Sequence, residues 1–200
     1  MLIIWFRQFL VIIRTKVVYS NYNSRINNIM SDKTKNKFSI FIFTFITSFI
    51  IILDYYVKSA MEATPLYYRY PLVGKFISIF HLRNYGGAFS ILQNQKIFFI
   101  LMGIFVPIIL FIFMRKYIFS DIKYLIACAF ISGGAFGNLL DRFLYGYVVD
   151  YISVGTFPVF NISDSFITVG AFFLAILLFF EKDKKEDDKK EKSEDLTCTE

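Results

Sequence analysis

Four apolar runs constrain this 200-residue chain more than any other feature. They lie at about Phe38–Val57, Ile97–Met114, Tyr124–Leu140 and Ser165–Phe180. A bilayer core of about 30 Å takes about 20 apolar residues of helix at 1.5 Å each, so each run is a candidate span. The last two are short and must extend into their polar flanks. A mean hydropathy of +0.53 and 56% hydrophobic residues fit membrane burial better than a water-facing skin. The expected fold is therefore an all-α membrane protein, a four-transmembrane-helix bundle.

Lys and Arg set its expected orientation, because cytoplasmic loops carry the excess of positive charge. Residues 1–37, the link between the second and third spans, and the tail from Glu181 hold sixteen of the 22 basic residues. Residues 58–96 and 141–162 hold the other six. Both termini are thus expected in the cytoplasm, with the two long links facing outward. The tail mixes nine acids with six lysines and reads as a flexible, solvated run. Ahead of it stand seven acids. Four of them, Asp54, Asp141, Asp150 and Asp164, sit at the outer ends of predicted spans.

Other chemistries leave little trace. Cys128 falls inside a span and Cys198 in the tail, so no disulfide framework is expected. One histidine, with no CxxC or HExxH, argues against a metal site. No phosphate-binding glycine loop appears, and the basic residues follow topology, so neither a nucleotide nor a nucleic-acid partner is expected. At the N-terminus "MLIIWFRQFLVIIR" is too short to span. It reads either as an interfacial helix or as sequence ahead of a start at Met30.

Residues 62–92 carry Pro65, Pro71 and Gly74, followed by a stretch rich in β-branched and aromatic residues. This pattern predicts short strands at the membrane surface, a small extracytoplasmic β-cradle. In the third span Gly133 and Gly137 have the spacing of close helix packing. Gly134, Asn138 and Arg142 share one helical stripe, with Asp141 beside them. Polar groups there need partners, because an unpaired one in hydrocarbon costs several kcal/mol.

Asp150 and Asp164 admit plain readings. In "NISDS", Ser163 or Asp164 could cap the fourth helix, and Asp150 could pair with Arg142. Their occurrence together near Asn138, Asn161 and Arg142 points further, since boundary ionisables are functional by default. Two carboxyls held close in a low-dielectric site share a proton, the arrangement an aspartic protease uses. A proton-coupled transporter would place its acids nearer the midplane. A non-catalytic assembly factor leaves the two aspartates without a role.

Five segments appear in order: "DYYVK" from Asp54, "NYGGAFS" from Asn84, "GGAFGNLLDR" from Gly133, "GYVVDYI" from Gly146 and "FNISD" from Phe160. With them the chain resembles the lipoprotein signal peptidase (signal peptidase II) family over about residues 38–180. The resemblance implies that Asp150 and Asp164 form a catalytic pair. It assigns Asn84, Gly86, Asn138, Arg142 and Asn161 to the pocket, and Asp54, Lys58 and Asp141 to supporting positions. It implies no cofactor and no metal. The implied partners are diacylated prolipoprotein signal peptides, cut before the lipidated cysteine, and membrane lipids. A monomer in the bacterial plasma (inner) membrane is implied, its active site near the outer face. Under this reading 1–37 is a cytoplasmic extension, 38–180 the peptidase domain and 181–200 a charged cytoplasmic tail. Three positions depart from the family pattern: Ser163 and Gly87 stand where alanine is usual, and "DYYVK" lacks polar residues between its ends. Ser163 raises the expectation of altered hydrogen bonding beside the catalytic water.

Overall fold

A computed structural model describes residues 32–74, 76–87 and 91–197. The two readings of the N-terminus fall outside them. The described residues up to Ile40 open the first helix, and residues 41–197 belong to one compact unit. The order is α1 (Asp32–Glu62), β1 (Arg69–Val73), β2 (Ile77–Asn84), α2 (Lys96–Ser120), α3 (Ile122–Leu144), β3 (Val148–Val154) and α4 (Ile162–Thr197). Each helix contains one of the four expected spans, and all four are long and apolar enough to cross a membrane. Each also runs beyond its apolar run, because helix continues into polar flanks until a cap or turn ends it. Asp121 stops α2 in an extended conformation and, as N-cap of α3, accepts from the Lys123 N–H at 2.9 Å. α4 continues through the charged residues to Thr197, where Lys and Glu are good helix formers.

α3 is the least apolar span and the most enclosed. Of its apolar window 61% is buried, against 11–17% for the other three. Small residues permit this. A Cβ on Gly133 would sit 3.0 Å from Ile50 of α1, and one on Gly134 only 2.3 Å from the Ser163 carbonyl oxygen. Backbone-to-backbone approach at Gly134 is thus what lets α3 and α4 share a polar site. Below it Leu125, Cys128 and Ile131 of α3 pack with Ile118 of α2 and Leu174 of α4.

The sheet has three strands in the order β1-β2-β3, all antiparallel. Its third strand, Val148–Val154, comes from outside the residues 62–92 in which the cradle was expected. The run "VVDYISV" is almost wholly buried, so it lacks the alternation that marks a half-exposed strand. The sheet is tied down by charge. Arg83 on β2 donates twice to Glu62 at the end of α1. Arg69 on β1 donates to Ser78 at 2.6 Å and to Ser153 of β3 at 3.1 Å. Beyond β3 the chain turns at Gly155, whose φ of +53° suits glycine, and returns so that Phe160 bridges Ile152. That return brings the start of α4 back beside Asp150.

Candidate active site

Asp150 lies in the middle of β3, opposite Leu82 of β2. Two residues on, Asn84 falls on the same face, and its Nδ2 donates to Asp150 Oδ2 at 2.9 Å. The other oxygen, Oδ1, accepts from Asn161 Nδ2 at 2.8 Å. Asp150 is 1% exposed.

Asp164 belongs to the first turn of α4. The capping residue is Asn161, not Ser163 or Asp164 as the sequence led one to expect. Asn161 Oδ1 accepts from the Asp164 N–H at 2.8 Å, and Asp164 Oδ2 accepts from the Asn161 N–H at 3.3 Å. This is a capping box with Asn at its first position and Asp at its fourth. Asp164 is therefore both a helix-end carboxylate and a wall of the pocket, since its Oδ1 accepts from Asn138 Nδ2 at 2.7 Å.

Behind the two aspartates stands a buried cation. Lys58 Nζ lies 2.6 Å from Asp54 Oδ2, 2.9 Å from Asp141 Oδ2 and 3.0 Å from Asn138 Oδ1. Asp54 Oδ1 accepts from the Ser163 N–H at 3.0 Å, and Asp141 Oδ2 from the Val149 N–H at 3.3 Å. One ammonium thus joins α1 to α3, and its two carboxylates reach α4 and β3. Asp141, placed by sequence beside the Asn138 stripe, instead turns toward α1. Ser163 also turns away: its hydroxyl lodges against Gly137, buried without a hydrogen-bond partner among the described residues. It lies off the pocket, so an alanine would fit the same place, and the departure from the family pattern leaves the site's hydrogen bonds intact.

Arg142 does not pair with Asp150. It donates to the Gly86 carbonyl at 2.8 Å and to the Asn138 carbonyl at 3.4 Å, and its guanidinium covers the Phe99 ring at 4.6 Å. Arg142 thereby clamps the loop after β2 that presents Asn84. Gly87 explains itself here, because a Cβ would come within 2.9 Å of that same ring.

The two aspartates, Asn84, Asn138 and Arg142 open onto one cavity of about 690 Å³. Its remaining wall is mostly apolar and comes from Leu82, Val148, the 157–160 return and the first turns of α4, where Ser165 and Thr168 add hydroxyls. Sequence reasoning missed this apolar part, since Phe157, Val159 and Ile167 look like any other hydrophobic residues until the chain folds back. Gly86, Asn161, Asp54, Lys58 and Asp141 stand behind the surface and hold it. Among the described residues no cluster of three His, Cys, Asp or Glu side chains could hold a metal ion.

Burial, and next the charge of Asp164, push the Asp150 carboxyl up to about 7, against the donation it receives from Asn84 and Asn161. The folded protein thus keeps a proton that the unfolded chain gives up near pH 4. Stability from this site is present below pH 4 and declines as pH rises to about 7. Asp150→Asn should remove this decline. Thermal unfolding in detergent at pH 4.5 and 7.5 checks it: the gap between variant and wild type should move in the variant's favour at the higher pH, by a few kcal/mol. An equal gap at both pH values would contradict the burial argument.

Four helices long and apolar enough to span a bilayer define a multi-pass membrane protein, and its polar pocket, with one buried and one half-buried carboxyl, lies between α3, α4 and the sheet. The family model for signal peptidase (SPase) II matches residues 46–180. The chain is 41% identical over 138 residues to a lipoprotein signal peptidase of Caldanaerobacter subterraneus subsp. tengcongensis, covering 68% of this chain and 94% of that one. It is 35% identical over 154 residues to a lipoprotein signal peptidase of Alteromonas mediterranea, covering 73% and 85%. A bacterial membrane enzyme solved by the in meso method at 2.3 Å is similar in fold, with a TM-score of 0.64 and 30% identity over 73% of this chain and 92% of that one. The chain belongs to the signal peptidase II family and is a hydrolase of the aspartic peptidase kind.

Proposed function

We propose that the protein removes signal peptides from diacylglyceryl-modified prolipoproteins, cutting before the lipidated cysteine, with Asp150 and Asp164 as the catalytic pair. The observation that carries this reading is the pair's setting. A buried carboxyl, Asp150, and a half-buried one, Asp164, both engaged by amide donors, face one cavity whose other wall is mostly apolar. That arrangement suits a water-splitting dyad beside a lipid-bearing substrate, and water activation by a carboxylate needs neither metal nor histidine. The pocket groups Asn84, Asn138 and Arg142 stand where the scissile peptide would lie, with Gly86 and Asn161 fixing them from behind.

The same reading places residues 38–180 in the bacterial plasma membrane as the working domain and a monomer, both ends in the cytoplasm. It puts the cavity near the outer face. The exposed Tyr67, Tyr68, Tyr70 and Phe76 of the cradle suit the headgroup layer, where aromatic side chains are enriched.

The test is reconstitution of the purified chain in liposomes with a lipobox peptide, offered once with its diacylglyceryl group and once without. Cleavage of the modified form alone is expected. No cleavage, or equal cleavage of both forms, would sink the proposal.

A further inference from the structure

Among the described residues that line the cavity Arg142 is the one cation, and it forms no ion pair with any of them. Its guanidinium is held in another way. One nitrogen donates to the Gly86 carbonyl at 2.8 Å, and another reaches the Asn138 carbonyl, a turn back on its own helix, only at 3.4 Å. Two carbonyls leave such a long side chain room to swing. The guanidinium carbon also lies over the Phe99 ring, 4.6 Å from its centroid. A cation over an aromatic face is attracted by the ring's quadrupole, and arginine suits such a face better than lysine. Phe99 comes from the first turn of α2, a helix none of whose residues lines the cavity.

The ring has a second neighbour in Gly87, where a Cβ would come within 2.9 Å of two ring carbons. Gly86 and Gly87 belong to the turn that presents Asn84. Asn84 Nδ2 donates to Asp150 Oδ2 at 2.9 Å and to the Gly87 carbonyl at 3.3 Å. Its Oδ1 accepts from the Gly86 N–H at 2.9 Å. Arg142 and Phe99 thus meet the same turn, one at the Gly86 carbonyl and the other at the bare Cα of Gly87.

From this geometry we infer that Phe99 is a positioning residue of the site, matched to Gly87. Its ring keeps the Arg142 guanidinium on the Gly86 carbonyl and so fixes the turn that brings Asn84 to Asp150. The absence of a side chain at position 87, where the family resemblance has alanine, makes the room that the ring occupies. α2 thereby acts on a pocket that it does not line. The effect on cleavage rests on the peptidase reading above, whereas the contact of ring and guanidinium stands without it.

Fluorinated phenylalanines at position 99 of the reconstituted full chain test the assignment, with a diacylated lipobox peptide as substrate. Each fluorine draws electrons from the ring face and changes its size little, so the attraction for a cation falls stepwise while packing is kept. kcat/KM should decline with each added fluorine and reach about tenfold below wild type with three. A packing role alone gives a flat series, and a flat series overturns the assignment. Gly87→Ala is the second arm. Gly87 is not among the residues of positive φ, so alanine suits its backbone, yet the new methyl must push the ring off Arg142. Cleavage should fall by a similar factor. Added to Phe99→Leu, the same alanine should cost less than about twofold more, and fully additive losses overturn the match of glycine and ring. A third measurement needs no cleavage. In detergent-solubilised protein with nitrogen-15-labelled arginine, the Arg142 guanidinium signal is identified by its loss in Arg142→Lys. It should move downfield in Phe99→Leu and in Gly87→Ala, as the ring current is withdrawn. An unmoved signal overturns the assignment. Absence of cleavage by the wild-type chain would strike the peptidase reading instead, and the arginine signal still decides whether the ring holds Arg142.

Discussion

Asp150→Asn and Asp164→Asn should each lower cleavage of a diacylated prolipoprotein by at least about 10³-fold while the protein still inserts into membranes. Asparagine keeps the size of aspartate and loses the titratable proton and the charge. Under the proposed dyad, either change leaves one carboxyl where the reaction needs two, one to take a proton from water and one to protonate the carbonyl oxygen. The packing consequences differ and separate the two variants. In Asp150→Asn the new amide must turn its NH₂ toward Asn84 or Asn161, so a donor faces a donor. In Asp164→Asn the new amide can keep its oxygen toward Asn138, but its NH₂ then faces the Asn161 N–H and half of the capping box is lost. Gel-shift processing measures the first effect, and thermal midpoints of detergent-purified protein measure the second. Cleavage within tenfold of wild type by either variant would remove that residue from the dyad.

Lys58→Met should be the most destabilising single change in the bundle, costing about 3–5 kcal/mol. Lys58 is 3% exposed and holds Asp54 and Asp141, themselves 1% and 5% exposed, so its removal buries two carboxylates with no cation between them. The cost is that of uncompensated charge and not of the lost attraction itself. Neutralising the partners as well, in Lys58→Met with Asp54→Asn and Asp141→Asn, should therefore recover most of the stability. The triple variant should still cleave poorly, because Asn138 loses the partner that fixes its amide. Thermal unfolding in matched detergent checks the first two statements and a processing assay the third. A loss below about 1 kcal/mol in the single variant would show that the ammonium is not the keystone of the site.

The four spans were legible in the sequence because hydropathy is a local property. About twenty apolar residues must become helix wherever they cross hydrocarbon, whatever they touch. The positions of the polar residues were legible for a related reason: Asp54, Asp141, Asp150 and Asp164 stand out against an apolar background, and their spacing in five motifs carries the family likeness. The strand Val148–Val154 was not legible, since a segment buried on both faces shows no period of two. Nor was the division of labour among the acids. Asp141 is three residues from Asn138 in sequence, yet one side chain turns to Lys58 and α1 while the other reaches Asp164.

Sequence alone thus determined the membrane class, the number of helices and the residue types available for chemistry, because each depends on composition within one segment. The tertiary structure decided which way each amide faces, that Asn161 and not Ser163 caps α4, and that Asp150 and Asp164 each accept from two donors. Those outcomes depend on partners as far apart as 80 residues, the separation of Lys58 from Asn138. A hydrogen bond of that span exists only after the helices have packed.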